Sequence, residues 1–369
     1  MKLLTICIPT YKRLSLLTAL LEGLLPQAQA LGVEAATRDH SKGNYWFANH
    51  NDRKSMIDCS GISVVIPNYN GEQLLLANLP SVLAALEHWS GESELIVVDD
   101  CSSDGSCTLL AEQFPQVKVI VNARNSGFSK TCNIGMAAVK YPVALCVNSD
   151  VKVSVGFIAP LLKHFADDAV FAVTPTILAE REGRNQGVVI GLYGKGFIKG
   201  GFAPIGEAHE VRENLYAVGA CVAYDMAKYR ALGGYAEIYS PYLFEDVDLS
   251  YRAWKRGWKS LFEPEIIVWH YSSATLAKTK KKVKRTIYFR NRFLFHWINL
   301  TDPGLILRNA LHTLLRLSVS FLWLDFTYYA AFYGALGRLA EARILRKSVT
   351  DNLRLSDAEI LLRTARAGS

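Results

Sequence analysis

The sequence lacks the short signatures that identify several large enzyme classes. It contains no Walker A phosphate loop, no HExxH zinc motif, and no Ser-His or Cys-His signature of nucleophilic catalysis. Its seven cysteines are scattered, and no close pair has zinc-ligand spacing. Because several cysteines lie in or beside apolar runs, where cysteine behaves as a small hydrophobic residue, we expect a reducing, cytoplasmic compartment.

Targeting and nucleic-acid signals are also absent. The apolar run in the N-terminal sequence MKLLTICIPTYKR is too short for a signal peptide and stops at Pro9. The net charge of +7 fits a protein that handles anionic ligands or lies near anionic lipid, and a solvated surface would give the same value. No compact nucleic-acid-binding motif accompanies this charge, so we do not expect nucleic acid as a partner.

What the sequence does contain is an alternation of apolar and helical segments. Between Ile62 and Asp150 the runs ISVVIP, SELIVVDD, VKVIVN and PVALCVNSD are separated by helical patterns. This alternation predicts an α/β fold, with a parallel sheet covered by helices on both faces and ligands bound beyond the carboxyl ends of the strands. Farther on, we expect a mobile Gly-rich stretch at 180–213, a helix at 246–256 and a last strand, EIIVWH.

A partial internal repeat precedes this region. TICIPTYKR, at residues 5–13, resembles SVVIPNYNG, at residues 63–71, and a Leu-rich segment follows each copy. No acidic strand end follows the first copy. We therefore expect residues 1–60 to be an accessory element without active-site chemistry, with an ordinary extra strand and helix as the alternative.

Three carboxylates follow the apolar run LIVV. Asp99 ends a buried run, where a carboxylate must accept hydrogen bonds, and a nucleobase imide or a ribose hydroxyl is a suitable donor. Asp100 and Asp104 come next, and for Asp104 alone a helix cap is the simpler interpretation. This strand end therefore predicts a nucleotide-binding position.

Two further strand ends carry candidate metal ligands. Asp150 closes the run ALCVNSD, and Mg²⁺ commonly binds one or two carboxylates together with substrate phosphates; a plain Asx-turn is the alternative. His270 ends the run IVWH and is a candidate metal or phosphate ligand, with a packed bystander as the alternative.

An acidic helix start and a Gly-containing loop complete the candidates. Glu245, Asp246 and Asp248 begin a helix, where capping explains part of the pattern, but an ionised carboxylate there can also take a proton from an attacking hydroxyl. The loop ARNSGFSKTCNIG leads into a helix and suits close approach of the backbone to an anion. Its candidate ligands are Asn125, Gly127, Lys130 and Asn133.

Taken together and in this order, the motifs resemble the family 2 glycosyltransferases, which have the GT-A nucleotide-diphospho-sugar transferase fold. The motifs that carry the resemblance are SVVIPNYNG, LIVVDDCSSDGS, NARNSGFSKTCNIG, VNSDV, FEDVDLSYRAWKRGW and VWH. They extend from about Gly61 to Leu300, which implies a catalytic domain at 61–300 and a separate helical region at 301–369.

The resemblance also implies roles for individual residues. Pro67, Tyr69 and Asn70 would line the nucleotide pocket, Asp99 would meet the base, and Asp100 would lie near them, as would Asp104. Asn148-Ser149-Asp150 matches the DXD position of the family, where only the last carboxylate remains.

By the same resemblance, Asp150 would bind the metal, with Asn148 helping, and His270 would be a further metal ligand. Asp246 matches the usual catalytic base, with Glu245 as the alternative. The implied reaction is inverting transfer of a sugar from a nucleotide-diphosphate donor to a hydroxyl acceptor, with Mg²⁺ or Mn²⁺ as cofactor. The alternatives are a nucleotidyltransferase of related fold and a catalytically silent binding or scaffold protein.

The C-terminal region predicts contact with a membrane. Leu317–Gly337 is nearly apolar and about long enough to cross a bilayer, but Asp325 near its middle argues against a lipid-facing span. We expect peripheral attachment to the inner face of the cell membrane, where glycan or lipid-linked glycan acceptors would be found; packing on the catalytic domain or a homo-oligomer contact is the alternative. The basic run Lys278–Arg285 predicts a mobile loop near the diphosphate, a solvated strip or a contact with anionic lipid.

Overall fold

The computed structural model describes residues 60–179, 183–206, 208–271, 280–322 and 324–365. The accessory element predicted for residues 1–60 falls outside this range, of which Ser60 is the first residue. In chain order, the described strands are β1 (Gly61–Asn68), β2 (Glu92–Asp99), β3 (Lys118–Val121), β4 (Val143–Val147), β5 (Val151–Lys152), β6 (Val170–Ala179), β7 (Arg184–Gly194), β8 (Phe197–Pro204), β9 (Arg212–Asn214), β10 (Cys221–Asp225) and β11 (Lys259–His270).

Helices cover this sheet and continue to Ala365. The described α-helices are α1 (Glu72–His88), α2 (Ser106–Gln113), α3 (Phe128–Ala137), α4 (Ile158–Leu162), α5 (Met226–Ala231), α6 (Glu245–Lys255), α7 (Lys281–Asn299), α8 (Pro303–Leu322), α9 (Phe326–Leu336), α10 (Leu339–Asp351) and α11 (Asp357–Ala365). Short 3-10 turns follow α4 at Lys163–Ala166 and precede α6 at Glu237–Tyr239.

The first four strands form the parallel half of the sheet, as the apolar runs predict. Their order is β3-β2-β1-β4, and every neighbouring pair runs in the same direction. All residues of β1 and β4 are buried, because helices pack on both faces. The carboxyl ends of β1, β2 and β4 therefore meet at one edge of the sheet, which positions the predicted site.

The rest of the sheet is mixed. The order continues β10-β6-β11-β5, and β10 runs antiparallel to both of its neighbours. The Gly-rich stretch predicted to be a mobile connection contains the antiparallel hairpin β7–β8 in its described part, which the composition did not indicate. The sheet is thus an α/β arrangement in which only one half is purely parallel.

Close packing against β1 depends on one glycine of α3. A Cβ at Gly135 would lie 2.3 Å from Cγ1 of Val65, so the helix rests directly on the strand. Val65 packs on this face with Cys132 and Met136, while Val64 packs on the opposite face with the helices α1 and α2. The two-sided burial explains why the strand sequence is apolar almost throughout.

The C-terminal helices pack on the sheet domain through a buried ion pair. Lys255 Nζ of α6 lies 2.6 Å from Asp357 Oδ1 of α11, and both side chains are fully buried. Tyr251 also donates to Asp357 at 2.7 Å, so the carboxylate is well provided with donors. The apolar run around Asp325 is divided between α8 and α9, and no helix of the described residues is long and apolar enough to cross a membrane.

Candidate active site

Asp99 joins the ends of β1 and β2. Its buried carboxylate accepts hydrogen bonds from Asn68 Nδ2 at 2.9 Å and from Ser102, through the hydroxyl at 2.6 Å and the backbone N–H at 2.8 Å. The hydrogen bonds that a carboxylate at this position requires are therefore supplied by the protein itself. Contact of Asp99 with a nucleobase stays a prediction.

Asn70 connects the same two loops from the other side. Its side-chain oxygen accepts from the backbone N–H of Ser103 at 2.7 Å, and its own N–H donates to Ser102 Oγ at 2.8 Å. Asn70 has a positive φ of 50°, a conformation that Asn tolerates better than most residues. The preceding Tyr69 is exposed and Pro67 lies within β1, so the phenol ring projects from the strand end.

Asp104 caps two helices at once. It accepts from the backbone N–H of Glu72 at 3.0 Å, at the start of α1, and from the N–H and hydroxyl of Ser106, at the start of α2. Glu72 in turn accepts from the backbone N–H of Gly105 at 3.2 Å. Partial burial acts to raise the pKa of Asp104, but the hydrogen bonds from Ser106 and Glu72 outweigh it and leave the pKa below its usual value.

Asp100 holds the loop that enters α3. It accepts from Asn122 Nδ2 at 2.7 Å, from the backbone N–H of Ser126 at 2.8 Å and from that of Gly127 at 2.9 Å. Gly127 has a φ of +83°, a left-handed conformation that favours glycine. In the same loop, Asn125 is exposed.

The other two candidates of this loop lie on α3. Lys130 is partly exposed. The side chain of Asn133 donates to Tyr235 O at 2.9 Å and accepts from Tyr235 N at 2.9 Å and Tyr229 Oη at 2.8 Å, so it anchors a neighbouring turn.

Asp150 and His270 meet at the ends of β4 and β11. Asp150 Oδ1 lies 3.3 Å from His270 Nε2, and both atoms are buried without a hydrogen-bond partner among the described residues. On the other side of the ring, Nδ1 lies 2.9 Å from Gln186 Oε1. That oxygen can only accept, so Nδ1 carries a proton, and Nε2 on the other side of the ring faces the carboxylate.

Asp150 Oδ1 and His270 Nε2, which face each other at 3.3 Å, are both atom types that bind divalent cations. Asn148 Oδ1, two residues before Asp150 and next to Ser149, is a further buried acceptor that has no partner within the part of the chain that the structure describes. Within the described ranges, no group of three or more His, Cys, Asp or Glu side chains gathers as metal ligands. Substrate oxygens would therefore have to complete the coordination of a hard divalent cation here.

Glu245 and Asp246 begin α6 as an acidic pair, in which Glu245 is buried and Asp246 is half-buried. Burial, and then the neighbouring charge of Asp246, raise the pKa of Glu245 to about 8. Burial also raises the pKa of Asp246, but its carboxylate accepts backbone N–H bonds from Gly219 at 3.1 Å and Val247 at 2.8 Å. Glu245 Oε2 has no partner among the described residues. At neutral pH the proton therefore resides on Glu245, and Asp246 carries the charge.

A strained turn directly precedes the acidic pair. Leu243 and Phe244 have φ values of 74° and 80°, which are unfavourable for residues with a side chain. Asn291 of α7 donates from Nδ2 to the carbonyl oxygens of Tyr239, Tyr242 and Leu243, at 2.7, 2.9 and 2.8 Å. These bonds hold the turn in place.

Contacts of the backbone link the acidic pair to the strand ends. Gly219 donates to Asp246, and the adjacent Ala220 accepts from the backbone N–H of Asn148 at 2.9 Å. Phe128 N, at the start of α3, lies 3.4 Å from Pro241 O, in the turn before α6. The structure thus joins the acidic pair to the Asn148–Asp150 strand end and to the Gly127 loop.

Sequence reasoning missed Gln186, Gly219 and Asn291, which support the candidate residues. Gln186 lies in the Gly-rich stretch that the composition predicts to be mobile, and Gly219 acts through its backbone. Asn291 belongs to the segment RNRFLFHW, whose polar residues within an apolar helix were the available signal.

Comparisons with known proteins agree with this architecture. The sequence model of the family described as Glycosyl transferase family 2 matches residues 63–233. The crystal structure of Staphylococcus aureus TarS 1–349 in complex with UDP-GlcNAc has a TM-score of 0.51 and 15% identity, covering 79% of this chain and 84% of that one. At that identity, the likeness shows a shared fold.

Two curated relatives match parts of the chain. The pre-mycofactocin glycosyltransferase of Mycobacterium tuberculosis is 27% identical over 217 residues, which are 57% of this chain and 42% of that protein. An undecaprenyl-phosphate 4-deoxy-4-formamido-L-arabinose transferase of Aeromonas hydrophila is 35% identical over 100 residues, which are 26% of this chain and 30% of that protein. The chain therefore spans less than half the length of these relatives.

Proposed function

We propose that this chain, whose residues 63–233 match the model of glycosyl transferase family 2 and which has the GT-A fold, transfers a sugar from a nucleotide-diphosphate donor to a hydroxyl acceptor with inversion. The observation that carries this proposal is the pairing of Asp150 with His270 at the strand ends. The backbone of residues 219–220 joins this pair to the acids Glu245 and Asp246.

The donor nucleotide is proposed to bind at the carboxyl ends of β1 and β2. The exposed ring of Tyr69 offers a flat surface on which a base can stack. Asp99, Asp100 and Asn70 hold the three surrounding loops in fixed positions through the hydrogen bonds described above. A pocket prepared in this way loses less conformational entropy when a nucleotide binds.

Asp150 and His270 are proposed to hold a divalent cation, Mg²⁺ or Mn²⁺, with Asn148 Oδ1 as a further ligand. Their unpartnered acceptor atoms fit a hard cation that also takes oxygens from the donor diphosphate. When bound, such a cation offsets the negative charge that grows on the departing nucleoside diphosphate.

Asp246 is the proposed general base. Because Glu245 retains its proton up to a pH of about 8, the negative charge of the pair is on Asp246, which can accept a proton from the acceptor hydroxyl. The hydroxyl attacks the anomeric carbon opposite the leaving diphosphate, so one displacement inverts the configuration. No enzyme nucleophile is required.

The acceptor is proposed to be the hydroxyl of a glycan or a lipid-linked glycan at the cytoplasmic face of a membrane. Support for a lipid-linked substrate comes from the Aeromonas relative, whose name includes undecaprenyl phosphate. The resemblance to family 2 glycosyltransferases also points to a role in cell-surface polysaccharide assembly.

Calorimetric titration with nucleotides tests the proposal. UDP, GDP and dTDP are titrated into wild-type protein, with and without Mn²⁺, and into the Asp150→Ala variant. We expect one nucleotide to bind in a Mn²⁺-dependent manner, and we expect Asp150→Ala to weaken this binding by at least tenfold, on the order of 1.4 kcal/mol. Val155→Ala, at an exposed position five residues away, is the control and should bind as wild type.

The products distinguish the rival functions. Sugar transfer releases a nucleoside diphosphate, whereas nucleotidyl transfer releases pyrophosphate. A protein that binds none of the three nucleotides would contradict the proposal and support a silent scaffold.

A further inference from the structure

Helix α8 exposes apolar side chains and buries polar ones, which is the reverse of an ordinary surface helix. Its exposed face carries Leu307, Leu311, Leu314 and Leu315, which are 57–62% exposed. A helix that packs on a protein and faces water normally shows the opposite arrangement, with its apolar residues inward. The environment outside this face is therefore expected to be apolar.

The buried side chains of α8 are polar, while Leu305 and Leu317 are partly buried against the core. Asn309, Thr313 and Ser320 are buried, with 6%, 7% and 0% of their surfaces exposed. Leu307 and Leu311 each precede one of these residues by two positions, which is about 200° around the helix axis, so the two faces are nearly opposite. Polar residues of α8 face the rest of the protein. The exposed leucines are therefore not explained by a helix that is merely rotated about its axis.

Further exposed apolar residues continue this face beyond the end of α8. Phe321, Leu324 and Phe326 are 63–70% exposed at the elbow between α8 and α9. We call the seven residues the apolar face; they are Leu307, Leu311, Leu314, Leu315, Phe321, Leu324 and Phe326. An exposed patch of this extent is typical of an interaction surface rather than of scattered surface side chains.

Basic side chains lie beside this elbow. Arg285, in the second turn of α7, contacts Asp325 Oδ2 at 2.6 Å, which brings the start of α7 to the elbow. Lys281 and Lys282 precede it and are exposed, and Arg308 is exposed on α8 itself. Apolar residues flanked by lysine and arginine are the combination that binds an anionic lipid surface.

We propose that the apolar face of α8 and the α8–α9 elbow insert into one leaflet of an anionic membrane, with Lys281 and Lys282 at the headgroups. The partner is thus a lipid bilayer, entered from one side. The proposal rests on the membrane association proposed above, and vesicle binding tests it separately from nucleotide binding.

Sedimentation with vesicles provides the test. The full chain is mixed with vesicles of phosphatidylcholine alone, or with vesicles in which about a quarter of the lipid is phosphatidylglycerol. We expect binding to the anionic vesicles and at least about tenfold weaker binding of Leu311→Gln/Leu315→Gln, because two inserted leucines are lost. Lys281→Gln/Lys282→Gln should weaken binding at low salt, and the difference should shrink at about 0.5 M salt.

A matched control is available elsewhere on the chain. Leu76 and Leu362 lie on α1 and α11 and are 43% and 61% exposed, so Leu76→Gln/Leu362→Gln removes two exposed leucines outside the apolar face. This control should bind vesicles within about twofold of wild type. Equal nucleotide binding by all the variants would show that their folds are intact.

Three results would overturn the proposal. The first is wild-type protein that binds neither kind of vesicle while it still binds nucleotide. The second is equal vesicle binding by wild type and Leu311→Gln/Leu315→Gln. The third is a self-associating wild-type protein that this variant converts to a monomer without any change in vesicle binding, which would assign the face to a second copy of the chain.

Discussion

Asn291 Nδ2 lies 2.8 Å from the carbonyl oxygen of Leu243 and thereby connects the middle of α7 to the strained turn that presents the acidic pair. The same amide also serves Tyr239 and Tyr242. Two residues with positive φ persist in this turn only because such contacts hold them. Asn291 is therefore expected to position the general base without touching the substrate.

Asn291→Ala tests this role. We expect kcat to fall by about 10- to 100-fold with a smaller change in the KM for the donor, because the misplaced base loses its alignment with the acceptor hydroxyl. The pH profile of kcat should also shift, since a relaxed turn admits water to Glu245 and Asp246 and lowers their raised pKa values. Asn299→Ala is the control. Asn299 lies on the same helix, and its side-chain amide donates to Asp248 Oδ1 at 2.7 Å. A pH profile unchanged from wild type in Asn291→Ala would leave Asn291 with a purely structural role.

Asp246→Asn should abolish transfer. The amide retains the shape of the side chain but cannot take a proton, so we expect kcat to fall by about 10³-fold or more while nucleotide binding stays within about twofold of wild type. Steady-state assays of nucleoside diphosphate release and calorimetry measure the two effects. Glu245→Gln is the matched control, because Glu245 already holds a proton at neutral pH, and it should retain most of the activity. The roles of the two acids would be reversed if Glu245→Gln were the inactive variant.

The acidic pair should also make folding stability depend on pH. Glu245 has a usual pKa of 4.5 and a folded pKa of about 8, so between these values the folded protein holds a proton that the unfolded chain releases. Stability must then decrease as the pH rises from about 4.5 to 8, by an upper limit of about 4 to 5 kcal/mol.

Glu245→Gln removes this titration. Chemical denaturation across this pH range should show a flatter profile for the variant, with the largest gain over wild type near pH 8. Glu210→Gln, at an exposed position, should reproduce the wild-type slope. Parallel profiles for wild type and Glu245→Gln would mean that Glu245 is not the titrating group.

Gln186 should control the affinity of the proposed cation site. Its side-chain oxygen accepts a hydrogen bond from Nδ1 of His270. This contact turns Nε2 of the ring towards Asp150. Removing such a supporting contact typically weakens metal binding by about 10- to 100-fold. We expect that loss for Mn²⁺ in Gln186→Ala, measured by titration of the metal in the presence of the nucleotide. Gln186→Glu preserves an acceptor and should bind Mn²⁺ more tightly than Gln186→Ala; if the two variants bind it equally, the contact does not orient the ring.

Asp104 should contribute to stability and not to catalysis. Its carboxylate caps α1 and α2, and the loss of a helix cap typically costs about 0.5 to 2 kcal/mol. Asp104→Ala should lower the free energy of unfolding by that amount and leave kcat and nucleotide affinity within about twofold of wild type. The pKa of Asp104 is lowered in the folded state, so its contribution is present at neutral pH and is lost as the pH falls through that pKa. A large loss of nucleotide affinity would instead make Asp104 a ligand.

Local patterns were sufficient to predict the parallel half of the sheet. Apolar runs and the polar residues that follow them depend on near neighbours, and the strands β1, β2 and β4 lie where the runs ISVVIP, SELIVVDD and PVALCVNSD indicated. The hairpin β7–β8 was missed, because its pairing brings together glycine-rich segments that carry no strong strand signal of their own.

The sequence by itself determined the class of fold, the resemblance to a known family and the order of the candidate residues, because periodicity and short motifs are encoded along the chain. Only the tertiary structure decided what those residues touch. It brought Asp150 within 3.3 Å of His270, although the two residues are 120 positions apart in the sequence. It also placed Asp104 between two helices and left the apolar face of α8 exposed. These outcomes depend on strand order and helix packing between segments distant in sequence, which no local pattern specifies.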